Sequence, residues 1–92
     1  MLIRWTQPAA DDITRICDYT QEHFSPAQAR RVALVIYETV ESLSTHPNRG
    51  RSGRKANTRE LVLPGLPFLI VYRTRRDGVE IMRILHGAQQ WP

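Results

Sequence analysis

The chain has 92 residues, an ordinary hydrophobic content of 41% and a formal net charge of +4. This length predicts one domain, residues 1–92, and no apolar run approaches the roughly 20 residues that a membrane span needs. Cys17 is the single cysteine, which excludes an internal disulfide and a cysteine-based zinc site within the chain. No cluster of metal ligands is visible, so neither a metal nor another cofactor is implied.

The first residues, MLIRWTQPAADD, lack the apolar core of a signal peptide, because the apolar stretch is short and two acids follow it. A cytoplasmic location is therefore expected. Charge divides the chain unevenly. Residues 1–46 hold four basic and six acidic residues, a net charge of −2, whereas residues 47–92 hold nine and three, a net charge of +6. Twelve of the 13 basic residues are arginine, whose planar fork suits carboxylates and phosphates. The second half is expected to face nucleic acid or an acidic protein segment, unless the charge serves solubility alone.

The first half of the chain predicts a short strand over residues 2–5 and then two helices. The first helix opens at Gln7-Pro8, since proline is tolerated in a first turn, and runs to about residue 23. Asp11 and Asp12 are expected near the positive end of its dipole. Its approximate apolar stripe comprises Ile13, Ile16, Cys17 and Phe24.

A second helix is predicted to start at Ser25, with Pro26 in its first turn and Gln28 completing a capping box. It fades by residue 45, and Pro47 stops it. The short connection favours an antiparallel helical hairpin. Its apolar stripe comprises Ala29, Val32, Ala33, Ile36, Val40 and Leu43.

Residues 48–59, NRGRSGRKANTR, contain five basic residues and no acid or large apolar side chain. This composition predicts a solvated loop. The loop either contacts phosphates or acidic side chains or is merely solvated. It lacks the pattern of a phosphate-binding P-loop, which excludes nucleotide hydrolysis of that type.

The last third predicts strands over residues 60–63, 68–73 and 79–85. Pro64-Gly65 marks a turn, and Asp77-Gly78 marks a hairpin in which both residues accept positive φ. The order β-α-α-β-β-β predicts an α+β fold, with the helical hairpin packed on one face of a small, mostly antiparallel sheet.

Three residues near the end of the chain are candidates for chemistry. Strict alternation places Arg83 on one face of the last strand with Val79, Ile81 and Leu85, and His86 on the other with Met82 and Ile84. Arg83 either reaches the open face or pairs with an acid such as Glu60. His86 is either a general base or structural. Trp91 either covers the sheet edge or forms an exposed anchor.

The segments RELVLPGLPFLIVYR (59–73) and VEIMRILHGAQQWP (79–92), in this order of elements, resemble the RelE/ParE superfamily of bacterial type II toxins over essentially the whole chain. The resemblance implies a plasmid- or chromosome-borne module in which a cognate antitoxin binds the toxin and holds it inactive in a hetero-oligomer. RelE-like members cleave mRNA on the ribosome, whereas ParE-like members poison DNA gyrase.

For the nucleases, the resemblance implies an arginine at the start of the central strand and basic or aromatic residues just after the last one. Here these positions hold Phe68 and the uncharged stretch 87–90, so gyrase is the favoured target. The alternatives are a ribosome-dependent mRNA endonuclease and a non-toxic relative that acts in autoregulation with the antitoxin.

The candidate residues follow from these readings. A nuclease would use Arg59, Arg83 and His86. Antitoxin binding is assigned to Val35, Tyr37, Arg73 and Arg83. Target binding is assigned to Arg49, Arg51, Arg54, Lys55, Arg59, Arg83, His86 and Trp91.

Overall fold

Two helices cover one face of a five-stranded mixed sheet in this computed structural model, which describes residues 1–87. The sheet order is β1-β5-β4-β3-β2; β1 runs parallel to β5, and the other neighbours are antiparallel. The predicted α+β architecture is confirmed, with one strand more than expected. The elements are β1 (Leu2–Trp5), α1 (Gln7–His23), α2 (Pro26–Ser42), β2 (Arg51–Ser52), β3 (Arg59–Val62), β4 (Phe68–Thr74) and β5 (Gly78–His86).

Both helices begin where the sequence predicts, but their caps differ in detail. Thr6 caps α1 by accepting a 3.4 Å hydrogen bond from the Ala9 amide. Asp11 and Asp12 therefore lie beyond the first turn, and the expected role at the helix dipole is wrong. Helix α2 ends at Ser42, three residues earlier than expected.

Ser25 caps α2 by accepting a 3.0 Å bond from the Gln28 amide. The predicted capping box would direct the Gln28 side chain to the backbone amide of Ser25. That amide donates to the Thr20 carbonyl oxygen instead, at 3.2 Å. The connection between the helices is thus held by α1 itself.

The main core lies between the helices and the sheet, on what we call the helix face. The α2 stripe is confirmed, since Ile36, Val40 and Leu43 are fully buried, and each such side chain stabilises the fold by about 1.5–3 kcal/mol. Phe24 is 73% exposed, so its assignment to the α1 stripe is wrong. The strand residues of this core are Ile70, Tyr72, Val79, Ile81 and Ile84.

A β-bulge interrupts β5 and overturns the predicted alternation. Val71 pairs with Arg83 and Tyr72 pairs with Ile81, so Met82 is an extra residue in the strand. After Met82, the residues of β5 lie on the face opposite to the one that strict alternation predicts. Ile84 joins Ile81 in the main core, whereas Leu85 packs with Met82 in a second cluster on the opposite side, the open face.

The β4–β5 hairpin is confirmed, but the reason for its glycine is not the predicted one. Arg75 and Gly78 exchange backbone hydrogen bonds of 2.7 and 3.4 Å, so Arg76 and Asp77 are the central residues of the turn. Neither Asp77 nor Gly78 has a positive φ. A Cβ at Gly78 would lie 2.6 Å from the Leu2 carbonyl oxygen, so glycine is needed for the close approach of β1.

The basic loop is more ordered than a solvated connection. Its residues Arg51 and Ser52 pair with β3. The buried Tyr72 hydroxyl donates to the Pro47 carbonyl oxygen and accepts from the Gly50 amide, both at 2.8 Å. The loop is therefore fastened to the core at its start. Within residues 1–87, no helix has the length and apolar character needed to cross a membrane.

Candidate functional site

Arg83 binds Asp12 of α1, so the expected pairing with an acid is confirmed, with Asp12 as the partner in place of Glu60. Its Nε and Nη2 donate to the two Asp12 carboxylate oxygens at 2.7 and 2.9 Å. The backbone amide of Ile84 donates to the same carboxylate at 2.9 Å, and Arg15 adds a further bond at 2.7 Å. Burial alone would raise the pKa of Asp12, but the bonds from Arg83 and Ile84 outweigh it and hold that pKa below its ordinary value. Asp12 thus ties α1 to the end of β5.

Glu60, the partner proposed for Arg83, belongs to a different group on the open face. It is 3% exposed and accepts bonds from the Arg54 backbone amide at 2.9 Å, Arg54 Nε at 3.2 Å and Arg51 at 3.4 Å. Burial would raise the pKa of Glu60, but these hydrogen bonds together lower it. The two loop arginines are therefore ordered over the sheet by one carboxylate.

Glu80 organises a second arginine group on the open face. One carboxylate oxygen accepts from Arg4 at 2.7 Å, and the other accepts from Arg73 and lies 3.5 Å from Arg75. Hydrogen bonds from Arg4 and Arg73 lower the pKa of Glu80 to about 2 despite its burial. Arg73, assigned to the antitoxin, is part of this group.

His86 lies at the opposite end of the sheet beside a groove of about 570 Å³. Its ring meets Phe68 edge-on, with centroids 5.9 Å apart. Arg83 also lines this groove, and the strongly exposed Tyr19 and Phe24 form part of its wall. The groove is mainly apolar, and three of its charged lining residues, Asp12, Arg15 and Arg83, are joined by hydrogen bonds. Its walls are formed by α1, the start of α2, the β3–β4 connection and the end of β5.

Two other predicted target-binding residues fasten the loop. Arg49 donates to the Ser42 hydroxyl at 2.8 Å. Arg59 donates to the Gly50 carbonyl oxygen at 2.7 Å and to that of Asn48 at 3.4 Å. These hydrogen bonds give both arginines a structural role in holding the start of the basic loop. Lys55 lies in the exposed turn between β2 and β3.

The residues assigned to the antitoxin differ in accessibility. Tyr37 is 51% exposed, and its ring lies 5.4 Å from that of Trp5. Val35 is half-buried and packs against the main core. Trp91 lies outside the described residues.

The candidate nuclease set does not converge. Arg59 pairs with Tyr72 in the second half of β4, whereas His86 pairs with Phe68 at its start. Four residues at about 3.3 Å each separate the two levels by about 13 Å along the strand. Arg83 lies between these levels and is bound to Asp12. Within residues 1–87, no group of three or more His, Cys, Asp or Glu is placed to hold a metal ion.

A family model described as the ParE toxin of the type II toxin-antitoxin system parDE matches residues 3–91. This chain belongs to the ParE toxin family. It is 43% identical, over 98% of its length and 92% of the relative's, to the protein named "Putative toxin Y4kP" of Sinorhizobium fredii. It is 32% identical to the toxin RelE1 of Caulobacter vibrioides, over 89% of this chain and 88% of that one.

A solved structure described as the chromosomal ParDE TA system from P. aeruginosa has the same fold. A chain of that structure superposes with a TM-score of 0.83 at 29% identity and covers 91% of this toxin and 92% of its own length. The resemblance to RelE/ParE toxins is confirmed, and the protein is a toxin of the ParDE/RelE type.

Sequence reasoning missed Asp12 and Glu80 as organising residues of the ParE-family toxin. A signal for Asp12 was present: it lies three residues after the buried Ala9 and one before Ile13, on the stripe that faces the core. Glu80 alternates with the core residues Val79 and Ile81 and therefore lies on the opposite face of the sheet, where it is also buried. An acid at a core-facing helix position, or on a strand whose neighbouring strands carry arginines, predicts an internal ion pair.

The stability of the toxin is expected to decrease as the pH falls from about 4.5 to about 2. The pKa of Glu80 is lowered from 4.5 to about 2. The ionised carboxylate of Glu80 therefore stabilises the fold fully above about pH 4.5, and this contribution is lost as the pH falls to about 2. The lowered pKa values of Asp12 and Glu60 act in the same direction. Urea denaturation followed by circular dichroism across this pH range measures the effect.

Glu80→Gln should reduce that pH dependence, because the substituted side chain does not titrate. Asp77→Asn, on the exposed turn of the same hairpin, is the matched control and should retain it. An equal pH dependence in Glu80→Gln and the wild-type toxin would contradict the assignment to Glu80.

Proposed function

We propose that this ParE-family toxin arrests bacterial growth by poisoning DNA gyrase. The observation that carries the proposal is the separation of the candidate nuclease residues. In-line RNA cleavage needs a base and cationic groups around one reacting phosphate. Here Arg59 and His86 pair with β4 residues that are four positions apart, and Arg83 is engaged with Asp12. A poison that stabilises a protein–DNA complex needs surfaces and no such cluster.

We further infer that a cognate antitoxin binds the toxin and neutralises it. The P. aeruginosa structure is of a ParDE TA system, which supports a partner of this kind. Apolar side chains on the helical hairpin are exposed, among them Tyr37 at 51% and Leu34 at 58%. Large exposed apolar groups of this kind are typical of protein contacts. Val35 and Tyr37 are the two residues of the helical hairpin that are predicted to bind the antitoxin, and Tyr37 is the more exposed of them.

The test mixes the purified toxin with gyrase and supercoiled plasmid and then measures linear DNA after protease and detergent treatment. We expect linear DNA to increase with toxin concentration and to require gyrase. Because a poison acts by occupancy, the amount should follow the ratio of toxin to gyrase. Addition of the cognate antitoxin before gyrase should suppress the product.

Folded toxin that yields no linear DNA would contradict the proposal. Cleavage of mRNA on purified ribosomes by the same preparation would then support the endonuclease alternative. If neither activity is found while the antitoxin still binds, the non-toxic autoregulatory alternative would be supported.

A further inference from the structure

A hollow of about 420 Å³ lies where β1 meets the β4–β5 turn. We call it the hairpin hollow. It lies at the end of the sheet away from His86 and the apolar groove, since Gly78 begins β5 and His86 ends it. Its lining includes Leu2, Arg4, Arg75, Arg76, Asp77 and Glu80.

The arginines at the hairpin hollow are ordered by one buried carboxylate. Glu80 receives guanidinium groups from β1, from β4 and from the residue after β4, contributed by Arg4, Arg73 and Arg75. Their side chains remain 72%, 36% and 51% exposed. A guanidinium has five N–H donors, and each of the three directs one nitrogen at Glu80. Most donors are therefore left for an external acceptor.

The charge of the hairpin hollow favours an anion. Three arginines of the lining, together with Arg73, which pairs with Glu80 beside it, stand against Asp77 and Glu80, which leaves a net charge of +2. Because Glu80 already fixes three of the guanidinium groups, little further side-chain entropy is lost when an anion binds. An ordered set of this kind binds an anion more readily than dispersed surface arginines.

We propose that the hairpin hollow binds phosphate groups of the duplex DNA backbone. Protein–DNA interfaces are much more positively charged than protein–protein interfaces, and the net positive charge of the hairpin hollow matches the former. The guanidinium groups also approach from three segments of the chain, so their outward donors suit the tetrahedral oxygens of a phosphate. The inference goes beyond gyrase poisoning, because it requires the toxin to contact DNA when gyrase is absent.

The experiment measures binding of the purified toxin to a short fluorescein-labelled DNA duplex by anisotropy over a range of salt concentrations. We expect salt-dependent binding by the wild-type chain. Arg4→Gln combined with Arg75→Gln should weaken binding about tenfold and reduce the slope of log K against log salt by about 1.8, as expected for two lost phosphate contacts. Arg73 remains in this variant to pair with Glu80.

The matched control is Arg30→Gln combined with Arg31→Gln, which removes the same charge from exposed positions on α2. It should change affinity by no more than about twofold, since it leaves the hairpin hollow intact. Arg76→Gln is a second test variant. It removes one charge from the lining without removing a partner of Glu80, and it should reduce the salt slope by about one.

Three results would overturn the proposal. They are no DNA binding by folded wild-type toxin, equal weakening in the α2 control and the hollow variants, and unchanged DNA affinity in the hollow variants. If those variants instead lose affinity for the antitoxin, the hairpin hollow serves a protein partner. Each readout is independent of gyrase, so it is separate from the result of the plasmid assay.

Discussion

Asp12→Ala is expected to lower the free energy of unfolding by about 3 kcal/mol. The substitution removes the acceptor of Arg83 and of the Ile84 amide. Ile84 is only 2% exposed, so water cannot readily replace the bond to its amide, and Arg83, whose side chain is 29% exposed, is left without its carboxylate. Urea denaturation at neutral pH, followed by circular dichroism, measures the change.

Asp11→Ala is the matched control on the same helix. Asp11 is exposed and accepts a bond from the Gln7 side chain at 2.8 Å, so its removal should change stability by less than about 0.5 kcal/mol. Adding Arg83→Met to Asp12→Ala should recover part of the loss, since no unpaired guanidinium remains. Equal stability of Asp12→Ala and Asp11→Ala would show that the ion pair contributes little.

Gly78→Ala is expected to destabilise the toxin by about 2 kcal/mol. The new Cβ would lie 2.6 Å from the Leu2 carbonyl oxygen. This neighbour is backbone, so β1 must move away from β5 and the bond between Arg4 and Glu80 is disturbed. Denaturation measures the loss, and faster hydrogen exchange at β5 amides bonded to β1 would locate it.

Gly87→Ala provides the control, because a Cβ at Gly87 would meet its nearest neighbour, the Pro67 carbonyl oxygen, at an ordinary 3.7 Å. We expect a change within about 0.5 kcal/mol. If Gly78→Ala is as stable as Gly87→Ala, then β1 can shift without loss, and its pairing with β5 contributes little to the fold.

Local signals in the sequence were sufficient for most of the fold. The caps at Ser25 and Pro26, the α2 stripe and the Asp77-Gly78 hairpin depend on residues close together in the chain, so periodicity and turn chemistry located them. Strand β2 was not predicted because its two residues, Arg51 and Ser52, have no apolar alternation. They become a strand through pairing with β3.

The site could be predicted only in part, because its geometry depends on distant residues. A single bulge at Met82 changes which face each later residue of β5 occupies, and alternation alone does not reveal a bulge. The arginines were recognised as a set, but their carboxylate partners decide where they lie. Arg83 meets Asp12 across 71 positions of sequence, and Arg4 meets Glu80 across 76.

The parallel pairing of β1 with β5 also affects when the toxin can fold. Residues 2–5 have no partner strand until residues 78–81 have been synthesised. Contacts between such distant parts of a chain form late and slow folding, because a long loop must close first. The helical hairpin is local and can form early. The complete sheet, and with it the Glu80 arginine group, is assembled only after β5 has left the ribosome, so a nascent chain does not present the finished toxin surface.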